Sequence, residues 1–295
     1  MTFRFPKTAE DLTHEMLAMP IESLKSVSKY PLNLFDSKED LYTWLARIMA
    51  DEIIENNKHH QPTRWVLPVG PKSQYPILAR ITNEEHISWK NVFAFHMDEY
   101  LDWQGRMIDE GHPFSFRGFC KRNLYDLIDE DLKPPKNQIV FPDVEKINSF
   151  SEQIAAVGGI DTLFGGFGYR GLIAFVESPS TRWLKISVDE LANSKTRIVK
   201  LRDDTIIALS QRMAGGNSQV IPPMAITIGM KDMLAAKKVH LILDGGAWKQ
   251  YILRVFLLTT DKDAELPVTL FHDHPNVIVS ADRGSAQPID PGLHI

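Results

Sequence analysis

The chain has 295 residues, with 33 Lys or Arg against 38 Asp or Glu, so its formal net charge is −5. This balance excludes the strongly basic surface on which non-specific nucleic-acid binding depends. Hydrophobic residues make up 43% and charged residues 24%, which excludes a wholly disordered chain. The single cysteine, Cys120, cannot form an internal disulfide or a zinc site of cysteines, which favours a reducing compartment.

The sequence predicts no membrane association. Residues 1–16 carry Arg4, Lys7 and Glu10 and lack the apolar core of a signal peptide. No apolar run approaches the ~18 residues that a membrane span needs. We therefore expect a cytoplasmic protein with neither a membrane nor a nucleic-acid partner.

Short apolar strands alternate with longer amphipathic helices along most of the chain. Strands are predicted for residues 64–69, 91–97, 160–164, 224–228, 239–243 and 276–280. Helices are predicted from Ser37 to about Ile53 and for residues 75–85, 114–128, 144–157, 203–213 and 247–258. The alternation predicts an α/β fold, with a doubly wound, mainly parallel sheet and helices on both faces.

In such sheets ligands bind beyond the carboxyl ends of the strands. Asp98 and Glu99 directly follow the strand predicted for residues 91–97, and a carboxylate there can act as a general base. His96 lies two residues before Asp98 and could share its face of the strand. The alternative is that this segment is a solvated loop or a helix N-cap.

A glycine-rich loop follows the strand predicted for residues 160–164. It reads G-G-F-G-Y-R-G at 165–171, and Gly166 and Gly168 would let the backbone approach a ligand and offer N–H groups to an anion. The alternative is a tight turn without a ligand. The glycine spacing also matches a dinucleotide fingerprint, but an apolar stretch with Pro179 follows instead of an amphipathic helix, so NAD is only a runner-up.

Two further patterns offer candidate ligand groups. Lys249 follows the turn D-G-G at 244–246 and could reach an anionic substrate, or it could be a solvated helix residue. His272 and His274 alternate as metal ligands can, but no third ligand of suitable spacing accompanies them, so no metal site is predicted.

Taken together, these motifs resemble the glucosamine-6-phosphate deaminase/isomerase family, which includes the 6-phosphogluconolactonases. F-H-M-D-E-Y at 95–100 is similar to the family's F-N-M-D-E-Y, and the segment at 165–179 parallels G-G-[IV]-G-x-D-G-H-I-A-F-N-E-P. Further matches, in family order, lie at 112–123, 222–229, 239–249 and 274–282. The resemblance covers residues 65–282 and implies a sheet akin to those of ribose-phosphate isomerase and CoA transferases. We expect residues 1–60 to be a helical extension packed on a main domain of residues 61–295.

The resemblance implies a site and a reaction. Asp98 would remove the proton on carbon 2 of a sugar phosphate, and Glu177 would assist proton transfer at the neighbouring oxygen. Glu99 and His96 would be auxiliary, and the glycine loop would stabilise the developing oxyanion. The chemistry requires neither a metal nor an organic cofactor, because a proton beside a carbonyl or iminium is acidic enough for a carboxylate base.

The departures from the family pattern concern ring opening and phosphate binding. Arg170 and Leu172 stand where the family has an Asp and the His that assists ring opening, and Ile206 stands where it has a phosphate-binding arginine. The first loop is G-P-K-S-Q-Y-P at 70–76 instead of T-G-G-T-P. The residues that could rebuild an anion site are Lys72, Ser73, Arg170, Arg202 and Lys249.

We therefore expect a divergent sugar-phosphate isomerase or deaminase-like enzyme. A 6-phosphogluconolactonase-like hydrolase and a non-catalytic sugar-phosphate-binding module are the alternatives. The expected partner is a small-molecule sugar or sugar phosphate. The sequence does not identify the sugar and leaves homo-oligomerisation open.

Overall fold

In the computed structural model, residues 14–179 and 183–289 are described. The strands of these residues are β1 (Leu32–Phe35), β2 (Thr63–Leu67), β3 (Val92–His96), β4 (Asp98–Leu101), β5 (Ile139–Val140), β6 (Thr162–Gly166), β7 (Arg197–Lys200), β8 (Met224–Thr227), β9 (Lys238–Leu243) and β10 (Val277–Asp282). The helices are α1 (His14–Ala18), α2 (Ile21–Val27), α3 (Lys38–Lys58), α4 (Gln74–Glu84), α5 (Phe116–Asn123), α6 (Phe150–Ala156), α7 (Val188–Ala192), α8 (Asp203–Met213), α9 (Met230–Leu234), α10 (Gln250–Leu258) and α11 (Arg283–Ala286).

The larger sheet has seven parallel strands in the order β1-β10-β9-β6-β2-β3-β5. Successive residues of its central strands enter different cores: Val66 and Leu163 pack in one, while Trp65 and Phe164 pack in the other. Both faces of the sheet are therefore covered, with α10 on one side and α3 and α4 on the other. The predicted α/β fold with a doubly wound, mainly parallel sheet is confirmed.

A second sheet, which the sequence analysis did not predict, consists of three antiparallel strands in the order β4-β8-β7. The predicted strand at 224–228 is present as β8, but in this sheet. Asp98 and Glu99 begin β4, where Asp98 pairs with Thr227, so this segment is neither a loop nor a helix N-cap. Only Met97 separates β4 from β3, and the second sheet thus starts at the carboxyl end of the first.

Several predicted helices are confirmed, and others are shorter than predicted. The helix predicted for residues 203–213 is α8, and the Ser37 side chain caps α3 by accepting a hydrogen bond from the Asp40 N–H at 3.0 Å. The segments 114–128, 144–157 and 247–258 each divide into an α-helix and a 3-10 helix.

The N-terminal region contributes to the larger sheet. Within residues 1–60, β1 pairs in parallel with β10, from Leu32 beside Val279 to Phe35 beside Asp282, so the expectation of a purely helical extension is wrong in this respect. The signal-peptide expectation concerns a segment that lies mostly outside the described residues. None of the helices in residues 14–179 and 183–289 is long and apolar enough to cross a membrane.

Candidate active site

A cavity of about 560 Å³ lies at the carboxyl ends of four neighbouring strands of the parallel sheet, β9, β6, β2 and β3. Its floor comes from residues that follow these strands, and α5 and α8 add the walls. The residues that define its chemistry are Lys72, Asp98, Gly166, Gly168, Thr205, Arg212, Trp248 and Lys249. The cavity lies where the carboxyl-end rule predicts a ligand site.

Asp98 is the buried carboxylate of this cavity. Its exposed fraction is 6%, and no group in the described part of the chain donates a hydrogen bond to its side chain. Burial, together with the neighbouring charge of Glu99, raises the pKa of Asp98 well above its ordinary value. A carboxylate that lacks hydrogen-bond donors and faces a cavity can accept a proton from a bound ligand.

Glu99 points away from this cavity and holds α5. Its carboxylate accepts hydrogen bonds from the backbone N–H groups of Tyr100, Phe116 and Arg117 at 2.8–2.9 Å, and from the Ser115 hydroxyl at 3.1 Å. Two of these N–H groups belong to the first turn of α5, whose amides have no partner within the helix. Glu99 therefore has a structural role, and the structure does not bring it to the cavity.

His96 also lies outside the cavity. Its ring stacks on Phe141 with a centroid distance of 3.8 Å, and its Nε2 is 2.8 Å from the Tyr125 hydroxyl. Burial, with a smaller contribution from Arg117, lowers its pKa to about 3. The expectation that His96 shares a face with Asp98 fails because Met97 carries the chain from β3 into the antiparallel strand β4.

Three cations line the cavity: Lys72, which lies 4.9 Å from the Phe119 ring of α5, Arg212 and Lys249. The Arg212 guanidinium lies 5.1 Å from the Trp248 ring, and the Lys249 ammonium lies 4.9 Å from the same ring. Burial lowers the pKa of both Lys72 and Lys249, and the charge of Arg212 adds to both shifts.

Two buried carboxylates, Asp244 and Asp282, lie near these cations, and Asp244 is the one in contact with them. It lies 3.3 Å from Lys249 and 3.7 Å from Arg212, and it accepts a hydrogen bond from the Tyr42 hydroxyl at 2.7 Å. Burial lowers the pKa of Lys249 to about 8, and Asp244 opposes this shift. Three cations against the two carboxylates of Asp244 and Asp282 leave an excess of positive charge, which suits an anionic ligand.

The glycine loop forms part of the cavity floor. A Cβ atom on Gly166 would lie 2.5 Å from the Gly70 carbonyl oxygen. Glycine is therefore required at this position for the glycine-rich loop at 165–171 to approach the loop at 70–76. The N–H groups of Gly168 and Leu172 are hydrogen-bonded within the loop, to Leu172 and Tyr169 respectively. The Gly168 N–H is therefore not free to bind an anion, whereas a role for Gly166, which lines the cavity, stays a prediction.

Ser73 and Arg170, two predicted ligand contacts, lie outside the cavity. Ser73 is exposed and precedes α4 without capping it. The Arg170 guanidinium is paired with Asp204, at 2.8 Å, and with Glu265. Arg202 joins the same carboxylates. The structure therefore does not bring these arginines to the cluster of Lys72, Arg212 and Lys249.

Glu177 lies behind the cavity wall. The Thr205 hydroxyl donates a hydrogen bond to its Oε2 at 2.8 Å, and the Arg202 N–H approaches its Oε1 at 3.4 Å. Burial raises the pKa of Glu177, although the Thr205 hydrogen bond opposes this shift. Thr205 itself lines the cavity, so it stands between Glu177 and any ligand.

Arg212, Thr205 and Trp248 are among the cavity residues that the sequence analysis did not identify. Arg212 is in the last turn of α8, about 1.7 turns beyond Ile206, where the family pattern has its arginine. A search for any arginine on the same helix would have found it. Thr205 and Trp248 adjoin Asp204 and Lys249, but no pattern distinguishes them from ordinary helix residues.

Relatives of known function share much of this sequence. A glucosamine-6-phosphate deaminase of Parabacteroides distasonis is 32% identical over 263 residues, which cover 87% of this chain and 90% of that protein. One of Phocaeicola vulgatus is 32% identical over 212 residues, covering 70% and 74%. The longer match extends beyond residues 65–282. A scan against protein-family models finds no match.

Solved structures share the fold. A monomeric glucosamine-6-phosphate deaminase superposes with a TM-score of 0.71 at 24% identity, covering 87% of this chain and 98% of the other. A 6-phosphogluconolactonase of Trypanosoma cruzi superposes with a TM-score of 0.63 at 15% identity, covering 90% and 98%. These likenesses extend over nearly the whole length of each solved chain.

Proposed function

The chain belongs to the glucosamine-6-phosphate deaminase family, and from this premise we propose that it is an enzyme that moves a proton beside the carbonyl group of a sugar phosphate. The observation that carries the proposal is the pairing, in one cavity, of the buried carboxylate Asp98 with the cations Lys72, Arg212 and Lys249. The carboxylate suits a base, and the cations suit a phosphate.

Asp98 acts as the base. Its raised pKa makes its carboxylate more basic than an exposed one, and no hydrogen bond from the described residues occupies its lone pairs. It takes the proton from carbon 2 of an open-chain sugar phosphate, and the electron pair moves to the carbonyl oxygen to give an enediol-type intermediate. Return of the proton to the neighbouring carbon completes an aldose–ketose conversion.

Lys249 and Arg212 hold the phosphate, with Lys72 at the rim. A phosphate dianion is attracted by the positive charge that Asp244 and Asp282 leave uncompensated, and it accepts hydrogen bonds from both cation types. The Trp248 ring makes a cation–π contact with both Arg212 and Lys249 and so helps to hold the two side chains in place. Binding of the phosphate there orients carbon 2 toward Asp98, which is the main contribution such an enzyme makes.

Glu177 exchanges a proton with the substrate oxygen, and the Thr205 hydroxyl relays it. The Thr205 hydroxyl can receive a proton from the ligand side while it gives its own to Glu177, across the 2.8 Å hydrogen bond. Leu172 supplies no proton for ring opening. The enzyme therefore acts on substrates that reach it in open-chain form more readily than on stable ring forms.

The test is hydrogen exchange at carbon 2 in D₂O, followed by NMR on a panel of aldose and ketose phosphates. Exchange or isomerisation that is lost in Asp98→Asn supports the proposal. Asp232→Asn is the matched control, because Asp232 is a half-buried carboxylate with a raised pKa on α9, outside the cavity.

Two outcomes would contradict the proposal. Acid release from sugar lactones, followed with a pH indicator, without any exchange at carbon 2 would favour a lactonase. Tight binding of sugar phosphates with neither exchange nor hydrolysis would favour a binding module.

A further inference from the structure

Among the residues that the structure describes, Tyr100 is the one buried tyrosine whose hydroxyl has no hydrogen-bond partner. Five of the seven tyrosines are buried. The hydroxyls of the other four buried tyrosines are all paired, namely those of Tyr30, Tyr42, Tyr75 and Tyr125. An unpaired buried hydroxyl costs stability, so its presence calls for an explanation.

The Tyr100 hydroxyl is open to the cavity. Tyr100 lines the cavity, and its unpaired oxygen is not sealed within the protein, so a ligand can reach it. Asp98 and Tyr100 are two residues apart in β4, and their side chains therefore project to the same side of the strand. The candidate base and an unpaired hydroxyl thus face the same space.

Electrostatic effects on Tyr100 agree with this placement. Burial raises the pKa of Tyr100, the charge of Asp98 adds to the shift, and the charge of Arg212 opposes it. The phenol therefore stays protonated at neutral pH, and it lies within electrostatic reach of both the base and the anion site.

The ring that carries this hydroxyl is held by three other rings. Phe116 and Phe175 lie at centroid distances of 4.9 and 5.0 Å, and Phe114 packs edge-on at 6.1 Å. The exposed fraction of Tyr100 is 1%. Packing thus fixes the position of the hydroxyl, and a fixed donor needs no reorganisation when charge develops beside it.

The proposed reaction requires such a donor. When Asp98 takes the proton from carbon 2, the C–H electron pair forms a carbon–carbon double bond and the carbonyl π electrons move onto the oxygen. Two other donors at the cavity are already engaged, since the Gly168 N–H bonds within its loop and the Ser115 hydroxyl donates to Glu99.

We propose that the Tyr100 hydroxyl donates a hydrogen bond to the substrate carbonyl oxygen and stabilises the negative charge that develops there. Tyr100 is then a catalytic residue beside Asp98. It keeps its own proton, and proton exchange at the substrate oxygens is left to Thr205 and Glu177. This inference rests on the proposed function in one respect, the removal of the carbon 2 proton by Asp98.

Hydrogen exchange at carbon 2 in D₂O tests the inference by kinetics. Tyr100→Phe removes the hydroxyl and keeps the ring, and we expect kcat to fall about 100- to 1000-fold while KM stays within a few-fold of the parent. Tyr251→Phe is the matched control, because Tyr251 is a half-buried tyrosine on α10, outside the cavity. An equal loss of exchange in Tyr251→Phe would contradict the assignment to Tyr100.

Binding of a charged analogue tests the same contact without turnover. The probe is 5-phospho-D-arabinonohydroxamate, whose ionised hydroxamate resembles the enediolate, and glucitol 6-phosphate is the uncharged comparison at that position. In Tyr100→Phe we expect the calorimetric Kd of the hydroxamate to rise about 10- to 100-fold, and that of glucitol 6-phosphate to change at most a few-fold.

Urea unfolding distinguishes a catalytic role from a structural one. Because the Tyr100 hydroxyl is unpaired in the folded chain, Tyr100→Phe should raise the urea midpoint above that of the parent. A lower midpoint together with lost activity would mean that the hydroxyl supports the fold, and it would overturn the inference.

The outcomes separate this inference from the proposed function. Parental exchange and parental hydroxamate binding in Tyr100→Phe overturn the inference and leave the proposed function standing. Absence of exchange by the parent on every sugar phosphate overturns the proposed function, and the role of Tyr100 fails with it. The two ligands can also be compared on the parent alone: equal affinities overturn the inference even if Tyr100→Phe does not fold.

Discussion

Asp98 and Glu99 are adjacent carboxylates in one strand, yet their side chains have opposite surroundings. Glu99 accepts four hydrogen bonds, while no group in residues 14–179 and 183–289 donates one to the side chain of Asp98. Successive residues of a strand point to opposite faces, so one carboxylate holds α5 and the other faces the cavity. The same dipeptide thus provides a structural anchor and a candidate base.

Asp98→Asn should lower turnover by at least about 100-fold while ligand binding stays within a few-fold of the parent. The amide keeps the shape of the side chain but cannot accept the carbon-bound proton. Paired calorimetry and turnover assays on both proteins measure the two effects. Turnover near the parental level would remove Asp98 as the base.

The same substitution should raise the free energy of unfolding at pH 7.5 by about 1–3 kcal/mol. The folded-state pKa of Asp98 is raised, so between its unfolded value and this higher value the folded chain binds more protons than the unfolded chain. Stability contributed by the neutral acid is therefore lost as pH rises through that interval. Urea unfolding of the parent and of Asp98→Asn at pH 4 and pH 7.5 measures the effect. We expect the variant to have the higher free energy of unfolding at pH 7.5 alone; a lower value there would contradict the burial argument.

Arg212→Met should weaken the binding of sugar phosphates by about 10- to 100-fold, as expected for loss of a hydrogen bond to a charged group. The non-phosphorylated sugars should be unaffected. Arg170→Met is the matched control, because Arg170 is paired with Asp204 and Glu265 outside the cavity. If Arg170→Met weakened phosphate binding as much as Arg212→Met, the assignment of the anion site to Arg212 would be wrong.

Phosphate affinity should fall as pH rises above 8. Burial lowers the pKa of Lys249 to about 8, so the ammonium loses its proton in this range and one positive charge disappears. Calorimetric Kd values between pH 7 and 9.5 measure the effect, and the phosphate stays a dianion throughout. Lys249→Arg should flatten the profile. A profile that stays steep in this variant would point to Lys72, whose pKa burial also lowers.

Glucosamine 6-phosphate should be turned over weakly or not at all. General acid–base assistance contributes about 10²–10⁴ in rate, and Leu172 provides none at the position of the family's histidine. His96 cannot replace it, because that ring is stacked on Phe141 and buried. Ammonia release is the measurement, and a rate comparable with that of ordinary family members would contradict this explanation.

The sequence predicted the parallel sheet and the position of the cavity because both follow from short-range patterns. Two examples are the strand that ends at His96 and the helix α8. In each, the spacing of apolar residues along the sequence indicates the type of element, and the flanking residues indicate where it begins and ends. The antiparallel sheet was missed because β4 starts one residue after β3, with two charged residues, and because β7 is only four residues long. The edge strand β1 is equally short.

The anion site could be predicted only in part. Lys249 and Lys72 were identified because they follow strands that end at the cavity. Arg212 was missed because an arginine in the last turn of a helix is usually solvated, and only the packing of α8 beside Trp248 turns it inward. Arg170 was assigned to the site from its place in the glycine loop, but the carboxylates of Asp204 and Glu265 lie on other segments and pair with it.

The residues that line the cavity come from two parts of the fold, the antiparallel sheet and the parallel sheet. Asp98, Thr205 and Arg212 belong to this sheet or to the helix that follows β7, whereas Lys72 and Lys249 belong to loops of the parallel sheet. Substitutions in the segment from β7 through α8 can therefore move an arginine along α8 or replace the hydroxyl group beside Glu177. Such substitutions leave Lys72 and Lys249 in place.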